Sequence, residues 1–307
     1  MDAYSSSSDD LNYSGGSAPV LIAASSGRAM REAASIMDAS GLRVGARLPV
    51  EEALARIRSQ PTTAAVWLEL DRDCGEPMDA LLKQVDHDVS RGFYAAIVST
   101  SSEVLDAVSA KIGDSAVELI VDANEVERTT ALSLALAQRG RTSRYGDIGS
   151  DRNAERLRQL SEEVSRIAST LARLSVGPDT TRPLVQPMPA GDMPAVSIET
   201  VRQVIRARRL RSRFFSEELF ADPAWDMLLD LLQAEIAQLR VPVSSLCIAA
   251  SVPATTALRW LKTLVDQGLF VRRPDPHDGR RVYVELAPDA SHAMKRYFAE
   301  VGPVAAI

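Results

Sequence analysis

Two groups of side chains in the C-terminal third have types and spacings suited to holding an anion. In "LFVRRPDPHDGRRVYVEL" (269–286), Arg272 and Arg273 precede a turn over Asp275–Gly279, and Arg280 and Arg281 follow it. Upstream, "VPATTALRWLK" (252–262) sets Thr255, Thr256, Arg259 and Lys262 at helical spacing, and Ser244 joins them from the preceding helical stretch. A guanidinium meets phosphate oxygens or guanine in bidentate fashion, and lysine acts on phosphate as a point charge. Serine and threonine hydroxyls reach phosphates or base edges. Side chains of this kind bind a polyanion. The alternative for each is an ordinary solvated surface.

Charge is distributed unevenly enough to sharpen that contrast. Residues 1–150 carry 14 Lys/Arg against 22 Asp/Glu, and residues 197–307 carry 15 against 13, within a chain of net charge −6. The C-terminal part is therefore the only net-basic one, and its arginines are clustered, which is what an electrostatic footprint for phosphate requires. The two cysteines, Cys74 and Cys247, lie far apart without metal-ligand spacing and read as reduced thiols. No apolar run is long enough to span a bilayer, and "MDAYSSSSDDLNYSGGS" lacks the basic start and apolar centre of a signal peptide. A cytoplasmic protein is expected, with no membrane contact, no cofactor and no metal, and with residues 1–18 disordered.

The elements that position these groups follow from hydrophobic patterning. From residue 19 to 140, five apolar runs, "PVLIAA", "LRVGA", "AAVWLEL", "YAAIVST" and "VELIV", alternate with amphipathic stretches. Buried parallel strands read as continuous apolar runs and need helical crossovers, so this half is predicted to be a five-stranded, doubly wound α/β domain. In residues 150–175, Leu157, Leu160, Val164, Ile167, Leu171 and Leu174 recur at spacings of three and four. That is an a/d seam: a two-stranded coiled coil making a homodimer is expected, the alternative being one amphipathic helix on its own domain. Residues 176–196 are proline-rich and aperiodic, and read as a flexible linker.

The C-terminal domain is predicted over 197–302. Arg202, Arg206, Arg208, Arg209, Arg211 and Arg213 fall in a helical segment with Val201, Ile205 and Leu210 as its apolar side. The row either touches DNA backbone or another protein, or forms a solvated face. Asp222 and Pro223 mark a helix start. Two short helices then meet about Ser251–Pro253, with Leu246, Ile248, Ala249, Val252, Leu258, Leu261 and Leu264 as their apolar positions, a helix-turn-helix pattern. A hairpin and the helix "DASHAMKRYFAEV" follow. Trp260 is read as packing.

This order resembles the winged-helix DNA-binding domain of the MarR family over residues 198–300, most specifically in "DQGLFVRR" and "DGRRVYVEL". The resemblance implies that the helix from Pro253 enters the major groove. It also implies that the hairpin is a wing touching phosphate or minor groove, with Asp278 holding a wing arginine, Arg280. The sequence departs from the family in having no long helix after the wing, so the coiled coil is expected to take over pairing. The α/β half resembles, in architecture, the receiver domain of response regulators. Of the four receiver roles, Asp71 falls near the nucleophile position and Ser99 or Thr100 fits the hydroxyl. Ala24, Ser25 and Ser26 stand where an acidic pair would bind magnesium, and Asp122 stands where a lysine belongs. A degenerate receiver, not switched by aspartyl phosphate, is expected.

Nucleotide binding has little support: "ASSGRA" has one glycine, and neither G-x-G-x-x-G nor a P-loop occurs. Hydrolase chemistry lacks a G-x-S-x-G, and His87 sits on a charged helix segment. The expectation is a non-enzymatic transcription regulator that binds double-stranded DNA as a dimer, with a protein partner or signal input on the pseudo-receiver. The alternative is a protein–protein adaptor of the transcription or signalling machinery that binds little DNA.

Overall fold

The computed structural model describes residues 18–59, 63–113, 116–142 and 195–305. The expected disordered N-terminus, the 150–175 seam and nearly all of the 176–196 linker lie outside these residues.

The N-terminal unit runs β1 (Val20–Ala24), α1 (Gly27–Ala39), β2 (Val44–Pro49), α2 (Val50–Ser59), β3 (Ala65–Leu70), α3 (Glu76–Ser90), β4 (Ala95–Thr100), α4 (Leu105–Ser109), β5 (Glu118–Val121) and α5 (Glu125–Thr142). Its five strands are parallel in the order β2-β1-β3-β4-β5. Strand β3 is buried along its whole length because both faces of the sheet are covered. One face packs Leu21, Val66, Leu68 and Val98 under α2, α3 and α4, and the other packs Ile22, Trp67 and Ile97 under α1 and α5. Chain reversal at β1 has led to the doubly wound order with a switch point between β1 and β3. The second strand differs from its expected place at 42–46. As an edge strand it alternates half-buried and exposed residues, so it carries no continuous apolar run.

The C-terminal unit runs α6 (Ile198–Leu210), two short 3₁₀ turns (Arg211–Arg213, Glu217–Phe220), α7 (Pro223–Ala237), β6 (Val241–Pro242), α8 (Val243–Ala249), α9 (Ala254–Asp266), β7 (Phe270–Pro274), β8 (Val282–Leu286) and α10 (Pro288–Ala305). Helix starts follow local chemistry: the side chains of Ser197 and Asp222 accept from the amides of Thr200 and Trp225. Ser251, at φ +55°, reverses the chain between α8 and α9, and Gly268, at φ +71°, turns α9 into β7. Along β8, Val282, Val284 and Leu286 are buried while Glu285 is exposed, so the hairpin lays one face on the helices. Strand β6 adds to β8 and completes a small antiparallel sheet.

Two packing expectations are corrected, and one helix runs longer than its sequence pattern. Ile248 is 79% exposed and takes no part in fixing α8 against α9, since α8 is only seven residues long and turns Leu246 and Ala249 inward instead. Leu210 is exposed and Val204 fills the apolar side of α6, because the helix gives way to a 3₁₀ turn at Arg211. The helix after the hairpin runs to Ala305, 18 residues in all, beyond the expected limit at 302.

The largest difference from expectation is between the two units. A helix and a flexible linker were expected between them, with no contact foreseen, and they pack: Leu105 of α4 and Val121 of β5 belong to the same buried cluster as Leu246, Leu261 and Phe270.

Candidate nucleic-acid interface

The candidate anion-binding residues come from α8, α9 and the β7–β8 hairpin, and five of the nine meet one neighbour, the N-terminal unit. At the start of α8, Ser244 donates its amide to Asp106 Oδ1 at 2.9 Å and its hydroxyl to Asp106 Oδ2 at 2.6 Å. On α9, Thr255 Oγ1 accepts the amide of Val121 at 3.0 Å, and the Arg259 guanidinium pairs with Glu118 Oε1. Both partners lie on β5, the free edge of the parallel sheet. An edge strand presents unpaired amides, and α9 covers them.

The hairpin makes the remaining contacts. Arg280 Nη2 lies 2.5 Å from Asp73 Oδ1 and 3.0 Å from Asp79 Oδ1, and it also donates to the Gly75 carbonyl at 3.3 Å. Lys111, with a side chain only 7% exposed, bridges Asp79 Oδ2 at 3.1 Å and the Gly279 carbonyl at 2.5 Å. Arg272 Nη1 donates to the Ile112 carbonyl at 3.3 Å. That residues from α8, α9 and the hairpin all touch one partner means they share a surface. Ser244, Thr255, Arg272 and Arg280 are half-buried there, while the Arg259 side chain stays 59% exposed; opposite charges and the free edge of β5 draw the surface onto the α/β unit.

The other four candidates lie elsewhere. Thr256 is exposed on α9, and Lys262 is half-buried. Arg273 pairs with Glu285 at 3.4 Å within its own hairpin, and Arg281 pairs with Asp278 at 3.2 Å. The expectation that Asp278 holds Arg280 is thereby corrected. Asp278 Oδ1 accepts only the backbone amide of Arg280, while its other oxygen takes the Arg281 guanidinium. Residue 280 points the other way because Asp73 and Asp79 lie there. The turn itself is built by Asp275, whose Oδ1 accepts the amides of His277 and Asp278 and whose Oδ2 accepts the Tyr283 hydroxyl. The amide of His277, opposed by slight burial and aided by that hydroxyl, holds its carboxyl below the usual range.

The arginine row divides by role. Arg208 binds Asp226 at 2.6 Å and ties α6 to α7, and Arg211 stacks over the Phe220 ring at 5.4 Å. Arg202, Arg206, Arg209 and Arg213 are exposed. Trp260 is half-buried against the core, as expected.

Asp71, expected near a nucleophile position, follows β3 directly. Its Oδ1 accepts the Ser25 hydroxyl at 2.7 Å and its Oδ2 the Ser26 hydroxyl at 2.6 Å. Ser26 also caps α1 by accepting the Ala29 amide. Burial opposes the charge on Asp71, but the Ser26 and Ser25 hydroxyls outweigh it and hold the carboxyl below its ordinary range. Ser99 donates to Glu69 inside the sheet, Thr100 is buried, and Asp122 Oδ2 accepts the Ser102 amide. Asp71 is thus a carboxylate joining the ends of β1 and β3.

Asp73, Asp79, Lys111, Asp106 and Glu118 are interface residues that sequence reasoning did not single out. The signal for the four carboxylates was the acidic balance of residues 1–150, which carries no position of its own, and Lys111 had none.

No protein-family model matches the chain, and no curated protein sequence matches it. Among solved structures, a transcriptional regulator from Thermotoga maritima aligns with 34% of this chain and 79% of its own, at 17% identity and a TM-score of 0.21. That likeness is too slight to decide fold or function. What the geometry gives is a five-stranded parallel α/β unit packed on a helical unit that carries a small antiparallel sheet. No helix among the described residues is long and apolar enough to cross a membrane.

Proposed function

We propose that the chain is a DNA-binding transcription regulator whose C-terminal unit, over 197–302, is a MarR-like winged helix and whose receiver-like unit, over 19–140, takes input by protein contact or ligand. The supporting observation is the shared surface of α8, α9 and the hairpin, lined by Ser244, Thr255, Arg259, Arg272 and Arg280. In this reading α9 enters the major groove with Thr256 and Arg259, and the hairpin sets Arg273, Arg280 and Arg281 on the phosphate backbone. Pairing of two chains through the 150–175 helix belongs to the same proposal, as does an input without aspartyl phosphate, because the oxygens of Asp71 are taken by two serines.

A second reading has an observation of its own. The same surface already holds a protein, the α/β unit, so it could serve protein contacts alone, as an adaptor would.

Salt and substitution separate the two. Binding of the full chain to duplex DNA, followed by fluorescence anisotropy, is expected to weaken steeply with added salt as counterions are displaced. Arg259→Ala is expected to relax base preference at a cost of about 1–3 kcal/mol. Arg281→Ala is expected instead to weaken all sequences alike and flatten the salt slope. Affinity unchanged in both variants would refute these roles.

A further inference from the structure

We propose that the acidic edge of the α/β unit is a docking surface for the DNA-reading surface of the same chain, and that DNA and this edge compete for it. The inference rests on the DNA-binding reading and adds its regulation.

Four carboxylates carry the argument. Asp106 takes the amide and hydroxyl of Ser244 together, Glu118 takes Arg259, and Asp73 with Asp79 takes Arg280. Carboxylate and phosphate oxygens accept the same charge-assisted hydrogen bonds from the same donors. Each of these donors therefore already has a carboxylate partner, and although the Arg259 side chain is still 59% exposed, a duplex seated on all of them together has to displace the α/β unit. The neutral contacts have the same effect: Thr255, on the face of α9 proposed for the groove, is held by the Val121 amide. A helix lying along β5 cannot lie in a major groove.

Two features make the contact a clamp. Lys111 reaches across from the α/β unit to the Gly279 carbonyl at the hairpin tip while Asp79 neutralises it, and it is nearly buried in doing so. Leu105 and Val121 extend the core of the C-terminal unit, so opening exposes apolar surface as well as ion pairs. When the binding-competent state is only a fraction of the population, apparent affinity falls by that fraction. Loosening the clamp should return it.

The test compares the full chain with two variants, Asp106→Asn alone and Asp73→Asn, Asp79→Asn and Glu118→Gln combined, for binding a mixed-sequence duplex by anisotropy. All substitutions keep side-chain size, none lies in the proposed DNA-reading set, and circular dichroism checks folding. The combined variant is expected to bind about tenfold tighter or more, and Asp106→Asn, which leaves the other ion pairs and the apolar contact in place, to bind measurably tighter. Should the combined variant not fold, the single Asp106→Asn decides. Variants that are folded and bind DNA no tighter than the parent overturn the competition while leaving DNA binding intact. If neither parent nor variants bind DNA with salt-sensitive affinity, the DNA-binding reading falls and the inference with it.

Discussion

Arg128→Leu should lower the stability of the α/β unit by about 3–5 kcal/mol at neutral pH, the usual cost of stripping one partner from a buried ion pair. Arg128 reaches from α5 to Glu69 Oε1 at 3.0 Å, inside the sheet, and to Glu32 at 3.3 Å. Glu69 is buried on β3, where it also accepts the Trp67 indole N–H and the Ser99 hydroxyl, each at 2.9 Å. Leucine leaves that carboxylate two neutral donors and no cation. Burial already holds the Glu69 carboxyl above its ordinary range, against the opposing effects of Arg128, Trp67 and Ser99. The folded state therefore keeps a proton where the unfolded chain has lost it, and stability falls as pH rises between the two values. Without Arg128 that window widens, so the variant's deficit should shrink on acidification. Urea titrations at neutral and mildly acidic pH check this, and an equal deficit at both would count against the charged pair.

Phe270→Ala should cost a similar amount, about 3–5 kcal/mol, in the C-terminal unit. Phe270 begins β7, pairs in register with Leu286, and is 2% exposed within the cluster that includes Leu246 and Leu261. Truncation opens a cavity where helix-turn-helix, hairpin and sheet meet. Because Leu105 and Val121 share this cluster, the loss should reach the contact with the α/β unit as well. Phe214→Ala is the control. That ring is 74% exposed, and its removal should shift stability by no more than about 0.5 kcal/mol. Thermal unfolding of both variants gives the comparison, and a Phe270 variant as stable as the control would remove the hairpin from the core.

What was legible in the sequence was whatever local patterning determines. Strand β3 announces itself in "AAVWLEL" because a central strand is apolar on both faces, and Asp222-Pro223 announces α7 because capping chemistry is local. Strand β2 was misplaced because an edge strand alternates, and Pro49 hid its end. Ile248 was misread because a seven-residue helix gives too few turns to establish a face. The arginines were chosen by type and spacing, and the turn at Asp275–Gly279 by its residues. Their neighbour could not be found that way. Asp73 and Asp79, Asp106, and Glu118 come from three separate places in the chain and converge only when α3, α4 and β5 are stacked, a tertiary fact without a sequence period. For the same reason Arg280 was paired with nearby Asp278, when two aspartates some 200 residues away hold it.

The central claim is that one surface binds DNA and is covered by the α/β unit until it does. Hydrogen exchange on the full chain, with and without duplex DNA, tests it most directly. The amide of Val121 is protected by Thr255 of α9. On adding DNA, the account predicts faster exchange at Val121 as α9 leaves β5, and slower exchange along α9 and the hairpin as they meet the duplex. Bound DNA that leaves Val121 protected, or that protects neither α9 nor the hairpin, would contradict it.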